Sequence, residues 1–400
     1  MQSPRRGMFR SLLALLFVAL AASHAAAQTF SALGPTEFGP DYITIFPRDV
    51  SDDGTIVAGS SLDQNGISEA IRWQAGSFSG LGYLPGSPPV GQSEATGISG
   101  NGNVIVGFSS VALSPQGNNR TEPFRIVGNG PMTSLGRLPT TRDRLTQATG
   151  TNADGSVVVG WDQRAPTGIS AWRWTTGGGM ANLGTLPGST LGAVARGVTP
   201  DGLTVFGDGD TGVGDNVAWR WRAGSFENLG DLPGGNVDAT PFAASADGNV
   251  IAGRGHVTAP GFGNRYEAFR WQGGAMIGLG DLPGGDFTSE AYGMSADGNT
   301  IVGFSADGSD QERGAFIWDP VHGMRDLRTL LINDFGLTQL ENWNLDVAYA
   351  ITPDGRTIIG DGLTPAGAFQ GWIVTIPEPF TLAPAALAAV LLIRRQRARR

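Results

Sequence analysis

The chain has no cysteine and no lysine among its 400 residues, and only three histidines. Without cysteine no disulfide is available, so the fold must be held by burial even in an oxidising compartment. The same absence, with no His-x-x-x-His spacing, removes the ligand set of a zinc site. Neither His256 nor His322 is accompanied by a Gly-x-Ser-x-Gly elbow, and both are expected in surface loops. Sustained helical periodicity is also missing. Aliphatic and aromatic residues come in short runs, about one every ten positions, which is the pattern of an all-β chain.

Both ends fall outside the fold argument. Residues 1–27 begin with Arg5, Arg6 and Arg10, continue through the apolar run Leu12 to Ala22, and close on Ala25-Ala26-Ala27. This pattern predicts a secretory signal peptide cleaved between Ala27 and Gln28, with an uncleaved anchor as the alternative. At the other end Pro377-Glu378-Pro379 precedes an apolar segment, 380–393, and an Arg-rich tail, 394–400. The apolar segment, 14 residues with Pro384 inside, is shorter than the roughly 20 of a stable spanning helix. It suits a transient inner-membrane handle with the arginines held on the cytoplasmic side. The first 27 residues carry three of the 27 arginines and residues 380–400 carry five, and neither segment has an acid. The remainder therefore sets 19 arginines against 36 acidic residues, a net charge near −17. That balance disfavours nucleic acid and is compatible with divalent cations or neutral glycans.

Between the ends a short pattern recurs: Ser/Thr/Asn-x-Asp/Asn-Gly, then Gly five residues on. Its Asp or Asn stands at 53, 101, 154, 201, 247, 297 and 354, so the period is 46 to 57 residues. Repetition at that length in an all-β chain means blades or solenoid coils. Asp-Gly suits a tight hairpin, the preceding Ser or Thr can bond the turn backbone, and a Gly within a strand marks a bulge or a close backbone approach.

Each repeat reads as four short strands. In the fifth these are Ala239–Ser245, Asn249–Gly253, Ala268–Trp271 and Met276–Gly280. The third strand carries Ile71-Arg72-Trp73, Phe124-Arg125-Ile126, Trp172-Arg173-Trp174, Trp219-Arg220-Trp221, Phe269-Arg270-Trp271 and Phe316-Ile317-Trp318. Aromatics at one strand position are what packing between neighbouring sheets requires; a sugar-stacking platform is the alternative. A lone fourth strand, Thr29–Gly34, precedes the first repeat, and the last repeat ends on its third strand. The expectation is a seven-bladed β-propeller spanning 28–376, closed by the N-terminal strand.

Two family resemblances follow from these residues. Pro377-Glu378-Pro379 with its apolar segment and arginines resembles the PEP-CTERM sorting signal of exosortase-bearing bacteria. The resemblance implies transient contact with the export machinery and an exosortase-like transpeptidase, then transfer to the surface. Leu-Gly-Asp-Leu-Pro-Gly-Gly, Ser-Ala-Asp-Gly-Asn-x-Ile-x-Gly and Ala-Phe-Arg-Trp resemble the HAF-type extracellular repeat family across 29–375. That family implies export and repeat architecture and has no established activity, so nothing catalytic carries over.

The connections between second and third strands, and between blades, vary in length: Ser109–Thr121, Asp208–Val217, Arg254–Glu267 and Leu330–Leu345. Recognition concentrates on variable loops of a rigid scaffold. Phe262, Tyr266, Phe287 and above all Trp343 are therefore the candidate ligand contacts. Asp208, Asp210 and Asp215, interleaved with glycines, are a candidate calcium loop, the alternative being a solvated acidic loop. No other cofactor is expected. The functional expectation is an exported, surface-displayed or surface-released non-enzymatic propeller, a recognition, adhesion or matrix component for extracellular glycan or a surface protein. The alternative is a secreted glycan-active hydrolase or lyase on the same scaffold.

Overall fold

The structure, a computed structural model, describes residues 28–36, 43–88, 91–112, 119–139, 145–164, 168–212, 214–259, 261, 263–284, 287–306 and 313–376. Ala27, Phe262, Pro377, Glu378 and Pro379 lie outside the described residues. The chain divides into one unit holding Phe30–Val374 and another holding Met1–Thr29 and Thr375–Arg400. Among the described residues no helix is long and apolar enough to cross a membrane.

The chain opens with β1 (Thr29–Ala32) and then repeats one sheet. Blade 1 is β2 (Thr44–Val50), β3 (Ile56–Leu62), β4 (Ser68–Gln74) and β5 (Ser77–Gly80). Blade 2 is β6 (Ser93–Ile98), β7 (Val104–Ala112), β8 (Asn119–Val127) and β9 (Thr133–Ser134). Blade 3 is β10 (Thr146–Thr151), β11 (Val157–Arg164), β12 (Gly168–Thr175) and β13 (Gly179–Gly184). Blade 4 is β14 (Ala193–Val198), β15 (Thr204–Asp210), β16 (Asn216–Arg222) and β17 (Ser225–Gly230). Blade 5 is β18 (Ala239–Ala244), β19 (Val250–Ala259), β20 (Gly263–Gln272) and β21 (Ala275–Gly278). Blade 6 is β22 (Ser289–Met294), β23 (Ile301–Ala306), β24 (Arg313–Asp319) and β25 (Gly323–Asp326). Blade 7 supplies β26 (Asn344–Ile351), β27 (Thr357–Leu363) and β28 (Phe369–Thr375), and its fourth strand is β1, in the order β1-β28-β27-β26. The first strand of each blade touches the first strand of the next, β26 against β2 included, so these strands form the inner ring. The fold is a seven-bladed β-propeller closed by its N-terminal strand, as the sequence predicts.

The repeated residues build this geometry in three steps. In each turn a side chain holds the backbone. Ser51 Oγ donates to Asp53 Oδ1 (2.6 Å) and accepts from the Ile56 N–H (3.0 Å), while Gly54 takes φ +70°. The Gly five residues on lies opposite a β-bulge in the innermost strand. A Cβ added at Gly59, Gly107, Gly160, Gly207, Gly253, Gly303 or Gly360 would stand 1.9–2.1 Å from a carbonyl oxygen of that strand, closer than any atom can approach. Directly across on the third strand sits the first large residue of the Ile/Phe/Trp triplet, such as Trp219 opposite Gly207. The same place in blade 7 belongs to Trp372, whose ring a Cβ on Gly360 would meet at 2.3 Å.

The core lies between blades. Ala58 and Ala70 of blade 1 pack with Ile105 and Phe124 of blade 2, and Phe206 of blade 4 packs with Ile251, Phe269 and Trp271 of blade 5. Trp172, Trp219 and Trp372 are fully buried, so these tryptophans are packing residues and not a sugar platform.

Hydrogen bonds join successive turns. The N–H of Asp52 donates to Gly100 O (2.9 Å), Asn101 to Ala153 O (3.1 Å), Ala153 to Pro200 O (3.1 Å), Ala246 to Ala296 O (2.9 Å) and Ala296 to Pro353 O (2.9 Å). Pro200 and Pro353 have no N–H to pass on, so the belt is interrupted after blades 4 and 7. Arg222 bridges the first interruption, donating to Asp247 O and to Asn249 Oδ1 (3.2 Å). Blades 7 and 1 are joined instead at the other ends of their strands, where fully buried Gln370 donates to Pro35 O (2.8 Å) and Ile43 O (3.0 Å) and accepts from the Ile45 N–H (2.8 Å). The third-strand arginines add a second clasp: Arg72, Arg125, Arg173, Arg220 and Arg270 each donate to the turn-glycine carbonyl of the next blade.

Two local expectations are corrected. The connection after blade 6 contains a helix, α1 (Leu327–Asn333), because Asp326 caps it by accepting from the Thr329 N–H and Leu327, Leu330 and Leu331 bury one side. His256 is not in a loop: β19 and β20 extend their pairing to Ala259↔Gly263, which places it within a strand.

Candidate ligand-binding site

The bulge leaves one residue of each innermost strand out of the ladder: Arg48, Thr96, Thr149, Arg196, Phe242, Tyr292 and, in blade 7, Tyr349 with Asp346. These residues divide the inner ring into two unlike halves. On blades 2 and 3 they are short hydroxyls that close on the neighbouring blade, Thr96 Oγ1 donating to Ala148 O and Thr149 Oγ1 to Ala195 O, both 2.9 Å. On blades 5, 6, 7 and 1 they are large. Phe242 meets Tyr292 at 5.1 Å between ring centroids, Tyr292 meets Tyr349 at 5.7 Å, and the Arg48 guanidinium lies 5.3 Å over Tyr349. Phe304 on β23 stacks on Tyr292 at 6.0 Å and carries Arg313 4.9 Å above it. The three bulge aromatics are half-buried, and Arg48 and Arg313 are exposed.

Two carboxylates are set into this arc. Asp361 on β27 is 1% exposed; its Oδ2 accepts from the Tyr349 hydroxyl at 2.9 Å, and its Oδ1 is buried without a hydrogen-bond partner. Burial raises its pKa from 3.8 to about 6, against the Tyr349 hydrogen bond and the charges of Arg48 and Arg313. Glu290 on β22 accepts from Arg254 Nη1 and from the Tyr292 hydroxyl, both at 2.8 Å. Burial and the adjoining carboxylates push both the Tyr292 and Tyr349 phenols well above the ordinary tyrosine value, so they remain donors at any physiological pH. Arg254 also lies 4.2 Å over Tyr266, whose hydroxyl donates to Asp238 Oδ2 at 3.1 Å and whose ring meets His256 at 4.2 Å.

The arrangement offers aromatic faces and guanidinium groups side by side on four blades, the Tyr292 and Tyr349 hydroxyl protons being given to Glu290 and Asp361. Such a surface can stack the apolar face of a ring and hydrogen-bond its substituents.

Of the candidates read from the sequence, Tyr266 joins this site. Trp343 does not: it is 8% exposed and packs edge-on against Phe30 of β1 at 5.0 Å, so the expected exposed loop aromatic is a core residue beside the closing strand. Phe287 is half-buried against the core shared by blades 4 and 5 and holds a left-handed φ of 56°. The calcium loop is also corrected. Asp208 and Asp210 belong to strand β15, and Asp208 pairs with Arg196. Asp210 accepts from Ser189 Oγ (2.5 Å) and from the N–H groups of Thr190, Leu191, Gly192 and Gly212. Burial alone would raise its pKa, but these donors hold it far below the usual carboxylate range. Asp215 lies instead within electrostatic reach of Asp231. Among the described residues no three His, Asp or Glu side chains are grouped to hold a metal ion. Asp208 and Asp210 are already committed to protein donors.

The inner-ring aromatics carried no sequence signal of their own, because the residue before each turn differs from blade to blade. Their shared offset, three residues before the turn Ser or Thr in Arg48, Phe242, Tyr292 and Tyr349, is the pattern that would have found them.

No protein-family model and no curated sequence matches the chain. Solved propeller structures do resemble it. An oligogalacturonate lyase from Vibrio parahaemolyticus superposes with a TM-score of 0.52 at 12% identity, covering 88% of this chain and 98% of its own. The β-propeller domain of the Trilobed protease from Pyrococcus furiosus does so at 0.47 and 9% identity, covering 72% and 86%. TolB from Acinetobacter baumannii gives 0.41 at 14% identity over 69% of this chain, which spans 60% of the TolB length. These are likenesses of fold.

Proposed function

We propose that this chain is an exported recognition module of the HAF-repeat type, displayed at or released from the cell surface. It binds an extracellular saccharide or surface protein through the inner ring of blades 5, 6, 7 and 1. The observation that carries the reading is the half-buried arc Phe242–Tyr292–Tyr349, with Arg48 stacked at its end. Large aromatics left half-open on otherwise closely packed strands supply contact area at low entropic cost. The Asp, Ser and Gly of the turns are committed to their own backbone and to the belt between blades. Export rests on the signal-peptide pattern of residues 1–27, and surface sorting on Pro377-Glu378-Pro379 with its apolar segment and arginines.

One observation favours a second reading, a glycan-active hydrolase or lyase: Asp361, with a pKa of about 6, beside a fixed phenol donor. A panel of polysaccharides tests both readings. Retention of the protein on one or more glycans without new reducing ends is the expected result for a binding module. New reducing or unsaturated ends that vanish in Asp361→Asn would make it an enzyme. Retention unchanged by Tyr292→Ala and Tyr349→Ala would refute the inner ring as the binding surface.

A further inference from the structure

We infer that the ligand is an acidic saccharide, its carboxylate taken by Arg48 and Arg313 and its sugar ring laid on the half-buried Tyr349 and Tyr292 rings. The inference rests on the inner-ring reading above and adds the chemistry of the ligand. Its basis is the difference between these two arginines and the others. Arg72, Arg125, Arg173, Arg220 and Arg270 clasp turn carbonyls of the next blade, and Arg196, Arg254 and Arg325 hold carboxylates. Among the described residues neither Arg48 nor Arg313 takes part in a hydrogen bond or ion pair; each lies over a ring, at 5.3 Å and 4.9 Å, with the buried Asp361 carboxylate in electrostatic reach of both and Glu94 in reach of Arg48. Each is exposed, so its five N–H donors are directed to solvent or ligand.

A guanidinium resting on a ring is held flat and keeps its fork of donors free for a planar anion, the geometry that suits a carboxylate. The contacts from Arg48 to Tyr349 (5.3 Å), Tyr349 to Tyr292 (5.7 Å), Tyr292 to Phe304 (6.0 Å) and Phe304 to Arg313 (4.9 Å) join the two cations through one continuous cluster, and both lie in electrostatic reach of the buried Asp361 carboxylate. That carboxylate is tied to the Tyr349 hydroxyl and is 1% exposed, so it cannot itself close an ion pair with either guanidinium at the surface. Between the two cations the rings of Tyr349, Tyr292 and Phe304 follow one another at 5.7 Å and 6.0 Å. A pyranose offers an apolar face to such rings, and a uronate adds one planar carboxylate per sugar. The net charge near −17 of the region between the two end segments opposes polyanions in general, so preference for the acid rests on the two local guanidinium groups and not on a long-range field.

The test uses matched ligands on the full exported chain. β-1,4-Oligoglucuronate and α-1,4-oligogalacturonate are each titrated against the uncharged parent oligosaccharide, with single-stranded DNA of similar length as a third probe. At least one acidic oligomer is expected to bind about tenfold or more tightly than its parent at low salt, with the advantage shrinking as salt is added. Arg48→Gln and Arg313→Gln should each remove about tenfold of that advantage, read as the ratio of acidic to parent affinity. Arg356→Gln, in the turn between β26 and β27, should leave the acidic preference unchanged. Equal binding of acid and parent, lost in Tyr292→Ala, would overturn the acidic preference while leaving the inner-ring site standing. DNA binding as tight as the acidic oligomer, or acidic binding indifferent to both arginines, would also overturn it. Failure of every saccharide to bind would remove the inference, and the site would then be judged by its response to protein partners in Tyr292→Ala and Tyr349→Ala.

Discussion

Replacing Asp361 by Asn should make the protein more stable at neutral pH, and the gain should disappear in acid. Asp361 is 1% exposed, and its pKa is raised from 3.8 to about 6, burial being the largest cause. A carboxyl whose folded pKa exceeds its unfolded one is protonated in both states below about pH 4, so it imposes no penalty there. Between those two pH values the unfolded chain ionises first, and above about pH 6 the folded state carries the whole cost. A displacement of about two pKa units corresponds to roughly 3 kcal/mol at pH 8. The groups facing the carboxyl are Tyr349 from β26, Arg48 from β2 and Arg313 from β24, and their favourable effects are already contained in that value. Asn retains an oxygen for the Tyr349 hydroxyl and removes the charge, but adds an amide where Oδ1 has no partner. The missing partner offsets about 1–2 kcal/mol, leaving a net gain of about 1–2 kcal/mol at pH 8. Denaturant unfolding of wild type and variant at pH 4, 6 and 8 reads the difference directly. Asp49, also raised to about 6 by burial, titrates in both proteins and cancels. A variant that is less stable at pH 8, or a difference that is constant with pH, would refute the idea that the ring holds a strained charge at this position. Retention of so costly a group is what a functional site, not a packing site, would require.

Three further outcomes are expected. Gly207→Ala would set a methyl 1.9 Å from Val194 O and 2.6 Å from the Trp219 ring, and should abolish soluble folding or cost more than about 4 kcal/mol, whereas Gly177→Ala, with open space around it, should be neutral by circular dichroism melting. Trp343→Ala, emptying a site that is 8% exposed and packed on Phe30, should cost about 3–5 kcal/mol in denaturant unfolding without touching ligand affinity. Removing residues 28–34 strips β28 of its partner and of the Leu33 N–H bond to Gly371 O (2.9 Å), so the unfolding midpoint should fall and concentration-dependent association through the bared edge should appear in sedimentation.

The features legible in the sequence are those each blade must repeat. Ser51-x-Asp53-Gly54 can be read in isolation because the turn is made within five residues, by a hydroxyl, a carboxylate and a left-handed glycine. Gly59 and its equivalents can be read because the bulge opposite leaves no room for a Cβ in any blade. The lone strand Thr29–Ala32 announced ring closure, since seven sheets needed one more edge than the repeats supplied. Tyr266 was reachable as a non-repeated aromatic near a hairpin end.

Other features depend on residues far apart in the chain. Trp343 reads as an exposed loop residue until Phe30, more than 300 positions earlier, is laid against it by the closing strand. Asp208 and Asp210 read as a metal loop until Arg196 and the 189–192 turn supply their donors. The binding arc is the extreme case: Phe242, Tyr292, Tyr349 and Arg48 come from four different blades, and none is notable within its own repeat. Repetition alone therefore determined the blade, its turns and the number of copies, because those rest on interactions within about ten residues. Which side chains stay half-open on the inner ring, and which acid is stranded among them, was decided only by closure. Burial and charge at those positions are set by neighbouring blades, whose contacts no local pattern contains.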